Sequence, residues 1–241
     1  MTRDEVALHV VIPAFNEERS IARVIERVRS VFPQSRIAVV NDGSRDETAA
    51  QARSAGAVVL DLPFNCGYGV ALHTGLLWAY RDGAELVLTQ DADGQHDAAE
   101  AIQLVEPVAT GKADLVLGSR YLENAVRYRV PISRRFGSWI FARTVSGLTG
   151  LPLTDPTTGF QAMNRKTLRI YAELQDFPAR TPDADLILYA KRSGCRIAEK
   201  STAMYEDESN DSMHGFIKSL FYVPNMFVSL LGMLLIKTPS R

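Results

Sequence analysis

Cysteine is scarce in this 241-residue chain: Cys66 and Cys195 are the only two, far apart and without metal-ligand spacing. That excludes a disulfide framework and a cysteine-held zinc site. It points to a reducing compartment, with both thiols as small core residues. Charge of one sign is lacking too. The 27 Lys and Arg face 28 Asp and Glu, for a net charge of −1. No global field therefore draws the chain to nucleic acid. No internal repeat, low-complexity run or linker rich in Gly, Pro or Ser divides it, and the length suits one domain with a full core plus a short appendage. Met1–Glu5 lead straight into an apolar run, so the expectation is a chain without a signal peptide. No Ser-His-Asp or Cys-His arrangement offers a nucleophile.

What is present is alternation. Val6–Ile12 is a β-rich run that Pro13 is expected to end, and Ile21, Val24, Ile25, Val28 and Val31 then recur at helical spacing. Ile37–Val40 is a second strand. Ser44 and Glu47 have capping-box spacing and predict a helix through Ala55 that stops at Gly56. Ala57–Leu60, Leu86–Thr89 and Asp114–Gly118 predict three more strands, with helices over Gly69–Tyr80 and through Ile102 and Val105. Beyond Ser119 the alternation weakens. Helices are predicted over Arg134–Leu148, Lys166–Leu174 and Asp183–Ser193, with strands at Gly159–Asn164 and Ile197–Thr202. Such alternation implies βαβ units, right-handed crossovers and a mostly parallel sheet covered on both faces. Ligands bind such sheets at the carboxyl ends of the strands. Asn16-Glu17, Asn41-Asp42 and Asp91-Asp93 all fall there.

The sharpest chemistry lies in Asp91-Ala92-Asp93-Gly94-Gln95-His96, directly after an apolar strand. Two carboxylates one residue apart can share one hard cation that keeps open positions for diphosphate oxygens. Such a cation stabilises a departing nucleoside diphosphate.

The chain resembles the family 2 glycosyltransferases of GT-A fold, and within them the dolichyl- or polyprenyl-phosphate mannosyl- and glucosyltransferase branch. The likeness rests on Val11-Ile12-Pro13-Ala14-Phe15-Asn16-Glu17-Glu18, Asn41-Asp42-Gly43-Ser44, Asn65-Cys66-Gly67-Tyr68-Gly69, the Asp91 segment, Gly118-Ser119-Arg120-Tyr121 and Asp155-Pro156-Thr157-Thr158-Gly159-Phe160. The segments occur in the family's order, and the ordered set is specific where each alone is weak. The resemblance implies a nucleoside pocket at Pro13, Phe15, Glu17 and Asp42, and donor and metal contacts at Asp91, Ala92 and Asp93. It also implies Mg2+ or Mn2+ as cofactor, with Gln95 as an added ligand. His96 reads better as a satisfied loop histidine.

Between Arg120 and Arg143 stand six arginines against one acid, Glu123. By resemblance, Arg120, Arg134 and Ser138 grip an acceptor phosphate, which guanidinium forks match bidentately. A phosphate monoester is already anionic and attacks unaided, whereas a hydroxyl acceptor needs a carboxylate base. Asp183 and Asp185 sit where relatives carry that base. Direct displacement inverts the anomeric centre in either case. The loop Tyr205–His214 is acidic where many relatives are basic, leaving His214 or Lys218 to close on the diphosphate.

The expected organisation is a catalytic domain over residues 1–212 and an apolar helix over 213–241. Ser219–Ile236 carries no charge and is flanked by Lys218 and Lys237. An interfacial helix, a docking or dimerisation helix and a true span all remain open. The expected function is hexose transfer from a nucleotide sugar donor to a polyprenyl phosphate acceptor. The expected location is peripheral, on the cytoplasmic membrane surface, with any membrane-spanning partner on a separate chain. The alternatives are a hydroxyl-acceptor transferase of the same fold and a catalytically silent tethered partner in an envelope-polymer assembly.

Overall fold

A computed structural model describes residues 8–122, 132–179 and 182–203, with Gly232 alone beyond them, and along 132–138 it describes the helical backbone only. Strands β1 (Leu8–Ala14), β2 (Arg36–Asn41), β3 (Val58–Asp61), β4 (Leu86–Thr89), β5 (Leu115–Ser119), β6 (Gln161–Asn164) and β7 (Ile197–Ser201) form one sheet. The helices are α1 (Ile21–Val31), α2 (Thr48–Ser54), α3 (Tyr68–Arg81), α4 (Ala101–Ala109), α5 (Ile132–Thr149), α6 (Arg165–Ala172) and α7 (Pro182–Arg192).

The strand order is β3-β2-β1-β4-β6-β5-β7. All pairings are parallel except those of β6, which runs antiparallel to both β4 and β5. The order reverses direction between β1 and β4, and that reversal opens a crevice at their carboxyl ends.

Period-two alternation explains how the sheet is covered. Val11, Val87, Leu115 and Leu117 face a core shared with α3, α5, α6 and α7. Their neighbours Val10, Ile12, Leu86, Leu88 and Val116 face the opposite core, shared with α1 and α4. In α1 the buried stripe is Ile21, Val24, Ile25 and Val28. Each such aliphatic side chain contributes about 1.5–3 kcal/mol on burial. The stripe therefore matters more to the helix than its cap, which has no side-chain hydrogen bond.

Two local expectations fail for non-local reasons. Pro13 does not end β1; it pairs with Val40 of β2. On its other side the pairing with β4 stops at Val11 and Thr89, so the N–H that proline lacks is needed by no partner there. The Ser44–Glu47 capping box does not form either. The Ser44 hydroxyl accepts from the Asn16 N–H at 3.0 Å, and α2 begins only at Thr48, whose N–H donates to Asp46 at 3.0 Å. Smaller shifts occur at β3, one residue later than expected, and at β6, which starts at Gln161.

Among the described residues no helix is long and apolar enough to cross a membrane. The expected 213–241 helix lies outside the described residues, Gly232 apart.

Candidate active site

A cleft of about 330 Å³ opens at the crevice between β1 and β4, lined by Pro13, Ala14, Phe15, Glu17, Asp42, Asn65, Gly67, Tyr68, Ala71, Asp91, Ala92 and Asp93. Seven of the expected site residues (Pro13, Phe15, Glu17, Asp42, Asp91, Ala92 and Asp93) thus meet in one place, contributed by the ends of β1, β2 and β4. Sequence alone assigns no role to Asn65, Gly67 and Tyr68. The signal was present in the motif that contains them.

The loop after β1 is fixed by long-range bonds. Asn16 adopts a left-handed backbone at φ 58°, and its side chain accepts from Arg45 N–H at 2.9 Å. The Glu17 N–H donates to the Thr48 hydroxyl at 2.7 Å, and the Glu17 carboxylate accepts from the Ser20 hydroxyl at 2.8 Å. Phe15 is left 41% exposed at the cleft mouth.

Asp42 is buried, and its two oxygens accept from the N–H groups of Cys66 at 2.7 Å and Gly67 at 2.9 Å. One carboxylate therefore ties the loop after β3 to the end of β2. Gly43 makes this approach possible. Its φ is +68°, and a Cβ there would lie 2.5 Å from the Phe64 carbonyl carbon.

Asp91 and Asp93 follow β4. The Asp93 carboxylate accepts from the Gln95 N–H at 2.9 Å, turning the loop back on itself. The Asp91 carboxylate is 31% exposed and stands 3.6 Å from His96 Nε2. His96 is buried and stacked on Phe160, ring centroids 4.6 Å apart, but its Nδ1 has no hydrogen-bond partner among the described residues, so the expected satisfied histidine is packed without being fully satisfied. Gln95 is not among the residues lining the cleft. Gly159 closes the side of Asp91: a Cβ there would lie 2.6 Å from the Tyr68 hydroxyl and 2.8 Å from Asp91 Oδ1. Only a residue without a side chain lets the backbone at 159 pack this closely against Asp91 and Tyr68.

Arg120, after β5, is gripped from behind. Its Nε donates to Asp155 Oδ2 at 2.6 Å and its Nη2 to Asp155 Oδ1 at 2.8 Å. Nη2 also reaches the Thr157 hydroxyl at 2.9 Å. Asp155 is 1% exposed and Arg120 21%. Nη1 has no hydrogen-bond partner among the described residues. Burial opposes the Arg120 charge, but the bond to Asp155, its field and that of Asp91 outweigh it and raise the guanidinium pKa further.

Asp183 and Asp185 stand in the first turn of α7, and both are buried. Asp183 Oδ1 finds no hydrogen-bond partner among the described residues. Burial, reinforced by the fields of Asp91, Asp155 and Asp185 and opposed by Arg120, pushes the Asp183 carboxyl up to about 8. Neither Asp183 nor Asp185 is among the residues lining the cleft. The backbone of Arg134 and Ser138 belongs to α5, while their side chains, like His214, lie outside the described residues.

The family model described as Glycosyl transferase family 2 matches residues 9–171. An undecaprenyl-phosphate mannosyltransferase from Micrococcus luteus is 32% identical, over 84% of this chain and 85% of that protein. A polyprenol monophosphomannose synthase from Mycolicibacterium smegmatis is 31% identical, over 83% of this chain and 77% of that protein. Glucosyl-3-phosphoglycerate synthase from Mycobacterium tuberculosis, solved with Mn2+, UDP and phosphoglyceric acid, superposes with a TM-score of 0.70 at 20% identity, over 97% of this chain and 80% of that one. At that identity the likeness concerns the fold, and it bears out the GT-A expectation.

Proposed function

Because the chain belongs to the family 2 glycosyltransferases, we propose that it moves a hexose from a UDP- or GDP-linked donor to a polyprenyl phosphate, inverting the anomeric centre. The observation that carries this reading is one short segment, residues 155–159, that touches charges of both signs: Gly159 packs on Asp91 and Asp155 locks the Arg120 fork. Asp91 and Asp93 line the cleft, and Arg120 lies within electrostatic reach of Asp91 with its fork locked by Asp155. The first pair suits a donor diphosphate and the second an anionic acceptor.

Pro13, Phe15, Glu17 and Asp42 would form the nucleoside end. Asp42 is held in one orientation by two backbone N–H groups, and its remaining lone pairs can accept from a ring N–H or a ribose hydroxyl. Asp91 and Asp93 would hold Mg2+ or Mn2+, with Gln95 as a further oxygen ligand. Among the described residues no cluster of three or more His, Cys, Asp or Glu would cage a cation unaided. Two carboxylates that line the open cleft do fit a hard cation that shares oxygens with its substrate. When bound, that cation would offset charge developing on the departing nucleoside diphosphate.

Arg120, Arg134 and Ser138 would hold the acceptor phosphate, and His214 would close over the donor. Burial pushes the Asp183 carboxyl up to about 8, so little of it is ionised at neutral pH to serve as a base. A phosphate acceptor arrives ionised and needs no such base. Asp183 and Asp185 would then orient the donor sugar. The catalytic domain would work peripherally on the cytoplasmic face, held by residues 213–241.

The test is transfer from a panel of UDP- and GDP-sugars to a short-chain polyprenyl phosphate with Mn2+, beside Asp93→Asn. Lipid-linked product that disappears in the variant is expected. Transfer to a soluble hydroxyl acceptor, lost in Asp185→Asn and indifferent to lipid, would overturn the assignment of the acceptor.

A further inference from the structure

We propose that Glu199, on the edge strand β7, is a positioning residue for the acceptor, acting through Asp155 on the Arg120 fork. The inference rests on Arg120 holding the acceptor phosphate, as argued above. Glu199 stands opposite Leu117 of β5, but its side chain takes no part in that backbone pairing. It reaches instead to the turn that precedes β6. Its two oxygens accept from the Thr154 N–H at 3.0 and 2.9 Å, from the Thr154 hydroxyl at 3.0 Å and from the Asp155 N–H at 3.0 Å. The Thr154 hydroxyl is also 2.6 Å from that of Ser119, the last residue of β5. The turn is thereby pinned to both strands that flank Arg120.

The consequence falls on the guanidinium. Asp155 uses both oxygens on Arg120, and Oδ2 also accepts from the Arg120 backbone N–H at 3.1 Å. A bidentate pair fixes the guanidinium plane as well as its position. With Nε and Nη2 held, the remaining edge around Nη1 is presented in one orientation before any acceptor arrives. Presentation in advance reduces the ordering cost of binding. An ionised carboxylate accepts on both oxygens and carries no donor of its own to oppose these N–H groups. A glutamine would turn an NH2 group toward donors and lose part of the set. Burial raises the Glu199 pKa, an effect that the N–H groups of Asp155 and Thr154 oppose. The half-buried charge is thus a cost that β-pairing does not require, and the turn is what it serves.

The experiment is a double-mutant cycle of Glu199→Gln with Arg120→Lys. It is read as KM for a short-chain polyprenyl phosphate, KM for the donor, and the slow hydrolysis of donor without lipid. Glu199→Gln alone should raise acceptor KM about tenfold, with donor KM and hydrolysis within twofold. In the Arg120→Lys background the same substitution should change acceptor KM less than twofold, because the fork it orients is gone. Thr154→Val keeps the backbone donors and removes one bond to Glu199 together with the contact to Ser119, so it should shift acceptor KM in the same direction by a few fold. That variant keeps the test alive if Glu199→Gln folds poorly. Equal effects on donor and acceptor, or effects of the two substitutions that multiply independently, would overturn the relay. If Arg120→Lys leaves acceptor KM unchanged, the acceptor role of Arg120 falls and the relay with it. An altered Arg120→Lys beside inert Glu199→Gln and Thr154→Val removes the relay alone.

Discussion

Replacing Asp183 by Asn should flatten the pH dependence of stability that this carboxyl imposes. Asp183 is 7% exposed, its Oδ1 lacks a hydrogen-bond partner among the described residues, and its pKa is pushed up to about 8 from 3.8. Between those values the folded chain holds a proton that the unfolded chain releases. The contribution is therefore fully present below about pH 4, falls as pH rises, and is lost above about pH 8. One such group gives a slope of about 1.4 kcal/mol per pH unit. The whole interval sets a ceiling of roughly 6 kcal/mol, which water entry and local relaxation would reduce to about 2–3 kcal/mol. Asparagine keeps the shape of the protonated acid without its titration. Urea denaturation at pH 5, 6, 7 and 8, with EDTA to keep cations from Asp91, reads the effect. The variant should gain on the wild type steadily toward pH 8. Parallel stability curves would show that Asp183 ionises as a solvated carboxylate and would refute the reasoning.

Two further substitutions separate the site from the scaffold. Gly159→Ala places a methyl 2.6 Å from the Tyr68 hydroxyl and 2.8 Å from Asp91 Oδ1. Both are movable side-chain ends, so the fold should persist while kcat/KM falls tenfold or more, about 1.4 kcal/mol. Wild-type turnover in steady-state assays would remove Asp91 from the reaction. Asp114→Ala acts at the opposite edge of the sheet, where Asp114 accepts from the Arg196 backbone N–H, the Arg196 guanidinium and the Asn164 side chain. It should cost about 1–3 kcal/mol in urea unfolding, from the lost hydrogen bonds of a buried carboxylate, without changing turnover per folded molecule. A selective loss of turnover would contradict that separation.

The parallel half of the fold was legible because its signals are local. Apolar runs at β1, β2, β4 and β5 and the stripe of α1 state their periodicity in a few residues. The carboxylates at strand ends could be expected to converge on that account alone, and Asp42, Asp91 and Asp93 do line one cleft. What escaped depends on partners distant in sequence. Ser44 has the spacing of a cap, but its hydroxyl is taken by Asn16, 28 residues away. Arg120 is paired with Asp155, 35 residues on, and Thr154 with Glu199, 45 residues on. Tyr68 lay in a noted motif, yet its place beside Asp91 is visible only once Gly159 is brought against both.

The direction of β6 explains why a motif so late in the chain reaches the site. In a parallel sheet the carboxyl end of each strand faces the crevice, and its amino end faces away. An antiparallel strand inserted between β4 and β5 reverses this, so the residues that precede it arrive at the crevice. Gln161 begins β6 opposite both Thr89 and Leu117, near the carboxyl ends of their strands. The Thr89 hydroxyl donates to the Gly159 carbonyl at 2.6 Å, fixing the approach. The segment from Asp155 to Gly159 thereby lies between the two charged parts of the site. One end holds the Arg120 fork, and the other packs against Asp91. A parallel β6 would have carried this segment to the opposite edge, beside Asp114. The single reversed strand is thus what brings the segment that packs on Asp91 and holds Arg120 to the crevice end of the sheet.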